Sequence, residues 1–265
     1  MTEAHSDTTP ADEEAVTYQL REKVAWVTIN RPEARNALNK AARDGIRAAF
    51  ERFNADADAA VAVLTGAGDR AFCAGGDLKE MADTSLRVPP RDFMVYLGRT
   101  LKVDKPVIAA VNGVAYAGGF LLAQQVDLCV AVEGARFAIT ESKVGRGSPW
   151  AAPLAWLIPP RAAMELILTA EPISAQRAYE LGLVNKVVAA EDLVEETQKL
   201  AMTIANNAPL SVQAGKALVY ASAEMGWTAA LDMGDRIYER TYLSEDGQEG
   251  PRAFKEKRKP EWKGV

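Results

Sequence analysis

The sequence predicts an α/β fold with mainly parallel strands, followed by a helical region at the C-terminus. Four short apolar segments have the length and composition of buried strands. Helical segments lie between them, one after the capping residue Asn39 and one from about Gly119. Alternation of this kind is typical of a parallel sheet. The predicted strands are residues 24–30, 61–65, 107–112 and 128–132.

Helical patterns dominate after residue 160, where only residues 184–188 have an extended pattern. We therefore predict three parts: a disordered leader at 1–14, an α/β core at 15–200 and a helical region at 201–265. The polar, proline-containing segment 83–90 is predicted to be a mobile loop. The predicted helices are residues 39–54, 161–169, 174–181, 191–206, 211–221 and 228–243.

Composition limits the classes of function. The 265 residues are 48% hydrophobic and 25% charged, which is typical of a soluble globular protein. The net charge of −5 supplies no basic surface for nucleic acid or an anionic membrane. No apolar run approaches the ~20 residues that cross a bilayer, and the leader lacks the features of a secretory signal. We expect a cytoplasmic protein that binds neither nucleic acid nor membrane.

The cysteine and histidine content restricts the chemistry further. Cys73 and Cys129 lie in apolar segments and are expected to be reduced, buried thiols. The only histidine, His5, lies in the leader, which argues against a Ser-His-Asp hydrolase and against a histidine metal site. We expect no metal, and chemistry carried by carboxylates, tyrosines, lysines or backbone amides.

Two glycine-containing turns each lie between a strand and a helix, at residues 71–78 and 112–120. Backbone N–H groups at a helix start are unpaired and carry the positive end of the helix dipole. Two such turns facing each other could aim two N–H donors at one oxygen, which is an oxyanion hole. Neither segment is a nucleotide-phosphate motif, and spacing alone favours simple structural turns.

These segments resemble the crotonase superfamily, the enoyl-CoA hydratase/isomerase family, over almost the whole chain after the leader. The resemblance implies a spiral of repeated ββα units and a C-terminal helical region that builds trimers, often paired as hexamers. It also implies an acyl-CoA substrate and no cofactor, since coenzyme A enters as part of the substrate. The matching motifs are AFCAGGDLKEM, KPVIAAVNGVAYAGG, residues 30–38, 135–145 and 178–184, and GPRAFKEKRK.

The resemblance assigns roles to individual residues. Ala74 and Gly118 match the amide donors that stabilise the enolate oxygen of a thioester, and one such donor contributes ~3 kcal/mol to transition-state stabilisation. Tyr238, Phe254 and Lys257 match positions on the C-terminal helices, where the Phe and Lys contact coenzyme A bound to the neighbouring subunit. The predicted substrate contacts are Ala34, Asn36, Ala74, Gly75, Gly76, Asp77, Leu78, Gly118, Leu121, Trp150, Tyr238, Phe254 and Lys257.

The carboxylates depart from the hydratase pattern. Hydratases of this family use two glutamates; Glu141 matches the second, whereas Leu121 occupies the position of the first. Because one glutamate can take a proton from C2 and return it at C4, isomerisation is slightly favoured over hydration. Burial should raise the pKa of such a base. We expect Trp150 to shape the acyl pocket or pack against the spiral, and Arg146 to face solvent.

Two alternatives remain open from the sequence. Leu121 and the unusual segment GRGSPW would also suit a CoA-thioester hydrolase or lyase that acts on an alicyclic or aromatic acyl-CoA. The other alternative is a non-catalytic relative that binds acyl-CoA or associates with RNA, since fold alone does not establish function. Two intact oxyanion donors argue against it, and the acidic pI argues against RNA binding.

Overall fold

The computed structural model describes residues 14–265, so nearly all of the predicted leader, including His5, lies outside the described residues. The strands are β1 (Val16–Arg21), β2 (Val24–Ile29), β3 (Val61–Gly66), β4 (Ala71–Cys73), β5 (Val107–Val111), β6 (Val114–Tyr116), β7 (Leu128–Val132), β8 (Arg136–Ala138), β9 (Ile173–Ser174) and β10 (Lys186–Val188). The helices are α1 (Lys40–Ala55), α2 (Leu78–Asp83), α3 (Gly118–Gln124), α4 (Leu154–Leu157), α5 (Pro160–Thr169), α6 (Ala175–Glu180), α7 (Leu193–Ala205), α8 (Pro209–Ala223), α9 (Trp227–Leu243) and α10 (Glu245–Glu256).

The larger sheet has six strands in the order β1-β2-β3-β5-β7-β10, and every pair except β1 with β2 is parallel. The four predicted strands are confirmed, with ends within one residue of those expected. They were detectable because β3 and β5 are buried almost throughout and therefore form continuous apolar runs. The half-exposed edge strand β1 lacks such a run.

The smaller sheet has the order β4-β6-β8-β9, and its first three strands are parallel. Each of β4, β6 and β8 is only three residues long, too short to produce a recognisable alternation in the sequence. Because these strands are parallel, their carboxyl ends lie at the same edge of the sheet. That edge carries the candidate site.

The predicted helices are confirmed with shifts of one or two residues at their ends. Asn39 caps α1, since its side chain accepts a hydrogen bond from the Ala42 amide at 3.0 Å. Helix α10 was not predicted from the pattern, because Gly247, Gly250 and Pro251 lie within it and lower its helical propensity.

The predicted domain boundary at residue 200 falls inside α7. Ala201 is fully buried and Ala205 is nearly so, which makes all of α7 part of the core that it packs against. Helix α8 then attaches to the larger sheet through Asp127. Lys216 forms an ion pair with Asp127 at 2.8 Å, and the Tyr220 hydroxyl donates to the same carboxylate at 3.0 Å.

Candidate active site

Three turns leave the parallel strands β4, β6 and β8 at one edge of the smaller sheet. Register pairs Cys73 with Ala115 and Tyr116 with Ala138, so the ends of the three strands are side by side. The site therefore lies at the carboxyl ends of parallel strands, where ligands commonly bind in α/β proteins. The turns contain residues 74–77, 117–118 and 140–141.

The first turn corrects the predicted oxyanion donor. The Ala74 amide donates to the Arg35 carbonyl at 3.0 Å, and a backbone N–H has only one proton to give. The Gly75 amide donates to the Cys73 sulfur at 3.4 Å, and the Asp77 amide to a carbonyl of the preceding loop. Within residues 14–265, the Gly76 amide has no such partner and is the one left available for a ligand.

The second turn presents the amide of Gly118. Ala117 has the unusual backbone angles φ 50° and ψ −116°, and its own amide donates to Ala138 at 2.9 Å. This conformation starts α3 at Gly118, whose half-exposed amide has no acceptor among the described residues. Strained backbone of this kind is often found at functional sites.

The two turns are in backbone contact through Gly75, which has a positive φ of 106°. A methyl group added at Gly75 would lie 2.8 Å from the Ala117 Cβ and 3.5 Å from the Gly118 nitrogen. Only glycine allows this approach. The amides of Gly76 and Gly118 are therefore the two unpaired donors of adjoining turns.

Glu141 follows β8 and begins a 3-10 turn, Glu141–Val144. The residue is 9% exposed, so it is not the surface carboxylate that glutamates usually are. Trp150 Nε1 donates to Glu141 Oε1 at 3.1 Å, whereas the buried Oε2 atom has no partner among the described residues. Burial raises the pKa of Glu141 above its ordinary value, although the hydrogen bond from Trp150 opposes the shift.

Asp77 is the other carboxylate close to these turns, but it serves the fold. Its side chain caps α2 by accepting from the amides of Lys79 and Glu80, and it pairs with Arg31 at 3.3 Å. Desolvation tends to raise its pKa, but these hydrogen bonds and the Arg31 charge together hold the pKa of Asp77 below its ordinary value. The Asp77 carboxylate is therefore engaged within the protein, whereas Glu141 keeps one oxygen without a partner among the described residues.

Leu121 lies in the first turn of α3 and is 2% exposed. Its environment agrees with the expectation of a core-like side chain at a position where a catalytic acid would otherwise stand. Phe120, the preceding residue, packs edge-on against Phe137 and contacts the Trp150 ring at a centroid distance of 5.9 Å. The first turn of α3 therefore presents apolar side chains to Phe137 and Trp150.

Asn36 was predicted to contact substrate, but its side chain is fully buried and engaged within the protein. Its Oδ1 accepts from the Arg31 amide at 3.0 Å, and its Nδ2 donates to the carbonyls of Ala67 and Ala71. These bonds use both amide protons, so Asn36 holds the loop in place and its side chain is not available to a ligand. Ala34 is half-buried and ends an otherwise exposed 3-10 turn two residues before Asn36.

Four further predicted substrate contacts lie outside the turns. Leu78 directly follows Asp77 and is 58% exposed, as expected of a residue beside a ligand. Tyr238 lies on α9 and Phe254 on α10, and Lys257 is the left-handed residue that ends α10. No hydrogen bond or aromatic contact within residues 14–265 joins these three to the turns, so their role in substrate binding stays a prediction.

Arg146 does not simply face solvent, as the sequence suggested. It is half-buried, and its Nη1 donates to the Leu86 carbonyl at 2.8 Å. The contact joins the segment after Glu141 to the predicted loop at 83–90. Arg146 is thereby assigned to holding that loop.

Thiol chemistry is disfavoured at this site. Cys73 and Cys129 are free and buried, as expected, and burial raises the pKa of each to about 12.

Across residues 14–265, no group of three or more His, Cys, Asp or Glu side chains is arranged to hold a metal ion. Over the same range, no helix combines the length and apolarity needed to cross a bilayer.

The unpaired amides of Gly76 and Gly118 and the buried Glu141 lie in turns at the same edge of the smaller sheet. Comparison with known proteins identifies the family. A family model described as enoyl-CoA hydratase/isomerase matches residues 19–265. The chain belongs to the enoyl-CoA hydratase/isomerase family and is an enzyme of that family, which confirms the resemblance found in the sequence.

Relatives and solved structures support the same family. The chain is 38% identical over 254 residues to carnitinyl-CoA dehydratase of Proteus mirabilis, covering 92% of this chain and 96% of the relative. It is 39% identical over 248 residues to carnitinyl-CoA dehydratase of Salmonella typhimurium, covering 90% and 94%. An enoyl-CoA hydratase structure from Mycobacterium marinum matches with a TM-score of 0.89 and 37% identity, over 96% of this chain and all of that one. The predicted crotonase-like fold is confirmed.

Proposed function

We propose that the enzyme moves a proton at C2 of an acyl-CoA thioester, with Glu141 as the general acid and base. The observation that carries this proposal is Glu141 itself, a buried carboxylate with a raised pKa and one unpaired oxygen. It lies at the same edge of the smaller sheet as the turns with unpaired amides. A raised pKa suits a group that must both accept and donate a proton near neutral pH.

The amides of Gly76 and Gly118 would receive the thioester oxygen. When the C2–H bond breaks, the proton passes to Glu141 and the electron pair moves toward that oxygen, which forms an enolate. Donors oriented in advance stabilise this charge without reorganising, and one donor contributes ~3 kcal/mol. Ala74 is not assigned this role because its amide is already paired with Arg35.

A single carboxylate favours double-bond isomerisation as the overall reaction. Glu141 would take a proton from C2 of a 3-enoyl-CoA and, after exchange with solvent, deliver a proton to C4, which conjugates the double bond with the thioester. The buried Leu121 cannot hold or activate a water molecule. The first of the two glutamates that hydratases of this family use is therefore missing at that position.

Dehydration of a 3-hydroxyacyl-CoA is the second candidate, favoured by the 38–39% identity to proteins named carnitinyl-CoA dehydratase. In that reaction Glu141 removes the C2 proton and then gives it to the C3 hydroxyl oxygen as the C3–O bond breaks, so that water leaves and the C2–C3 double bond forms. Both candidates share the enolate and the base, and they differ in what happens at C3 or C4.

Product analysis separates the candidates. The enzyme would be incubated with 3-enoyl-CoA, 2-enoyl-CoA and 3-hydroxyacyl-CoA in parallel. Isomers would be distinguished by chromatography against standards and by the absorbance of the conjugated thioester, hydration by mass spectrometry, and hydrolysis by free thiol release. We expect conversion of 3-enoyl-CoA to 2-enoyl-CoA, reduced at least ~100-fold in Glu141→Gln. Glu165→Gln, on the exposed face of α5, is the control and should retain activity. Thiol release as the main reaction would favour a hydrolase instead.

We also propose a homotrimer, alone or paired as a hexamer, in which α9 and α10 complete the coenzyme A site of a neighbouring subunit. The support is exposure: the Phe254 side chain is 88% exposed, although it is large and apolar. An aromatic side chain left in water by one chain is suited to cover an adenine ring bound to the next. Lys257 beside it would face the phosphates.

A further inference from the structure

The hydrogen bond between Trp150 and Glu141 has a chemical consequence. An indole N–H can donate but never accept. It therefore remains bonded to Glu141 Oε1 whether the carboxyl group is ionised or protonated, since Oε1 is then the carbonyl oxygen of the acid. The proton is left to reside on Oε2, the buried atom that has no partner among the described residues.

Trp150 is itself held by α3, the helix that begins with the oxyanion residue Gly118. The Gln124 side chain, 7% exposed, donates through Nε2 to the Trp150 carbonyl at 2.9 Å. Phe120 contacts the indole ring at a centroid distance of 5.9 Å and an interplanar angle of 40°. One helix thus positions both an amide donor and, through Trp150, the base.

We propose that Trp150 is a positioning residue that fixes the Glu141 carboxylate and leaves Oε2 as the atom that exchanges protons with substrate. This inference rests on the proposed function and deepens it. Trp150 was predicted to line the acyl pocket or pack against the core, whereas its bond to Glu141 gives it a part in the proton transfer. Gln124 on α3 holds the Trp150 backbone in place. No motif in the sequence indicates this role of Gln124.

Charged neighbours do not supply the same control. Burial is the largest cause of the raised pKa of Glu141, and no charged side chain is among the causes. On the same segment, Lys143 pairs with Glu171 at 2.8 Å and Arg146 is bonded to the Leu86 carbonyl. The remaining titratable groups on packed elements are Arg161 and Glu165 on the exposed face of α5 and the half-buried Tyr116 on β6.

The first experiment compares Trp150→Phe with Trp156→Phe. Phenylalanine keeps an aromatic ring at residue 150 but removes the N–H, and Trp156 is 68% exposed on α4. We expect kcat of Trp150→Phe to fall about 10-fold with KM nearly unchanged. The acidic limb of its pH profile should move to higher pH, because the lost hydrogen bond had favoured the ionised base. Trp156→Phe should match the wild type.

Loss of packing alone would lower stability or activity but would not displace the acidic limb. If Trp150→Phe keeps the wild-type pH profile and kcat, the positioning role is wrong. The proposed function would still stand provided that Glu141→Gln is inactive. If Glu141→Gln turns over every substrate normally, the proposed function fails first.

A second measurement observes the Trp150 indole in the wild-type protein. The chain has five tryptophans, so nitrogen-15 labelling gives only five indole N–H resonances to distinguish. One resonance, identified by its absence in Trp150→Phe, should titrate with the pKa of Glu141 in the wild type and not titrate in Glu141→Gln. An indole signal that is insensitive to pH in the wild type would overturn the proposal.

Discussion

At the scale of single residues, Glu141 combines burial with an incomplete set of hydrogen bonds. The folded protein disfavours its charge, and only Oε1 has a donor. Such a group lowers stability in return for reactivity, a compromise common at active sites. Asp77, two residues from Gly75, shows the opposite arrangement, since every nearby donor favours its ionised form.

The raised pKa of Glu141 predicts a pH-dependent stability difference. Between its unfolded and folded pKa values the native state binds more protons than the unfolded state, so stability falls as pH rises through that window. Because glutamine does not titrate, Glu141→Gln should not lose stability in this pH window. Its free energy of unfolding should exceed that of the wild type near neutral pH, and the advantage should shrink toward about pH 4.

Urea unfolding of both proteins across this pH range measures the difference. The control is Glu165→Gln, because Glu165 is exposed and should show no such window. A Glu141→Gln advantage that is constant with pH would show that burial does not raise the pKa of Glu141.

At the scale of elements, the site depends on how closely α3 approaches β4. Gly119 is buried at this contact, and a methyl group added to it would lie 2.0 Å from the Cys73 carbonyl oxygen. The obstacle is backbone and cannot rotate away. The small side chain is therefore required to bring the two turns together, in addition to any role in helix formation.

Gly119→Ala should destabilise the protein by about 3 kcal/mol and lower turnover, because α3 must move away from β4 and carry Gly118 with it. Gly134→Ala is the matched control, since no atom lies within 4 Å of an added methyl group there. We expect its stability to change by less than ~1 kcal/mol. Equal stability of the two variants in chemical unfolding would refute the close contact.

The elements differ in how well they can be predicted from the sequence. Buried strands such as β5 could be predicted, because a run of apolar residues identifies them without knowledge of their partners. Which amide of the first turn is unpaired could not be predicted, because it depends on Arg35, which is distant in the sequence and whose carbonyl accepts from the Ala74 amide. The bond from Trp150 to Glu141 crosses an irregular segment that has no periodicity to interpret.

At the scale of the whole molecule, helices α8 and α9 and the residues that follow expose an unusual amount of apolar surface. Large contiguous apolar patches on a single chain indicate an interaction site. The exposed side chains include Val219 (67%), Trp227 (84%), Leu231 (60%), Tyr242 (72%) and Leu243 (80%).

This surface predicts that the chain assembles. Light scattering during size exclusion should give a mass of about three times 28.6 kDa, or a multiple of it for paired trimers. Leu243→Glu should lower that mass, because a charge would be buried in the interface. Val88→Glu, at an equally exposed apolar residue outside this surface, should leave the mass unchanged. A monomeric wild type at micromolar concentration would contradict the assembly.

Removal of the C2 proton by Glu141 is tested most directly by isotope exchange. Wild type, Glu141→Gln and Glu165→Gln would each be incubated with an enoyl-CoA in D2O, and deuterium at C2 and C4 measured by mass spectrometry. We expect exchange in the wild type and in Glu165→Gln, and a rate at least ~100-fold lower in Glu141→Gln. Exchange at the wild-type rate in Glu141→Gln would contradict the assignment of Glu141 as the base.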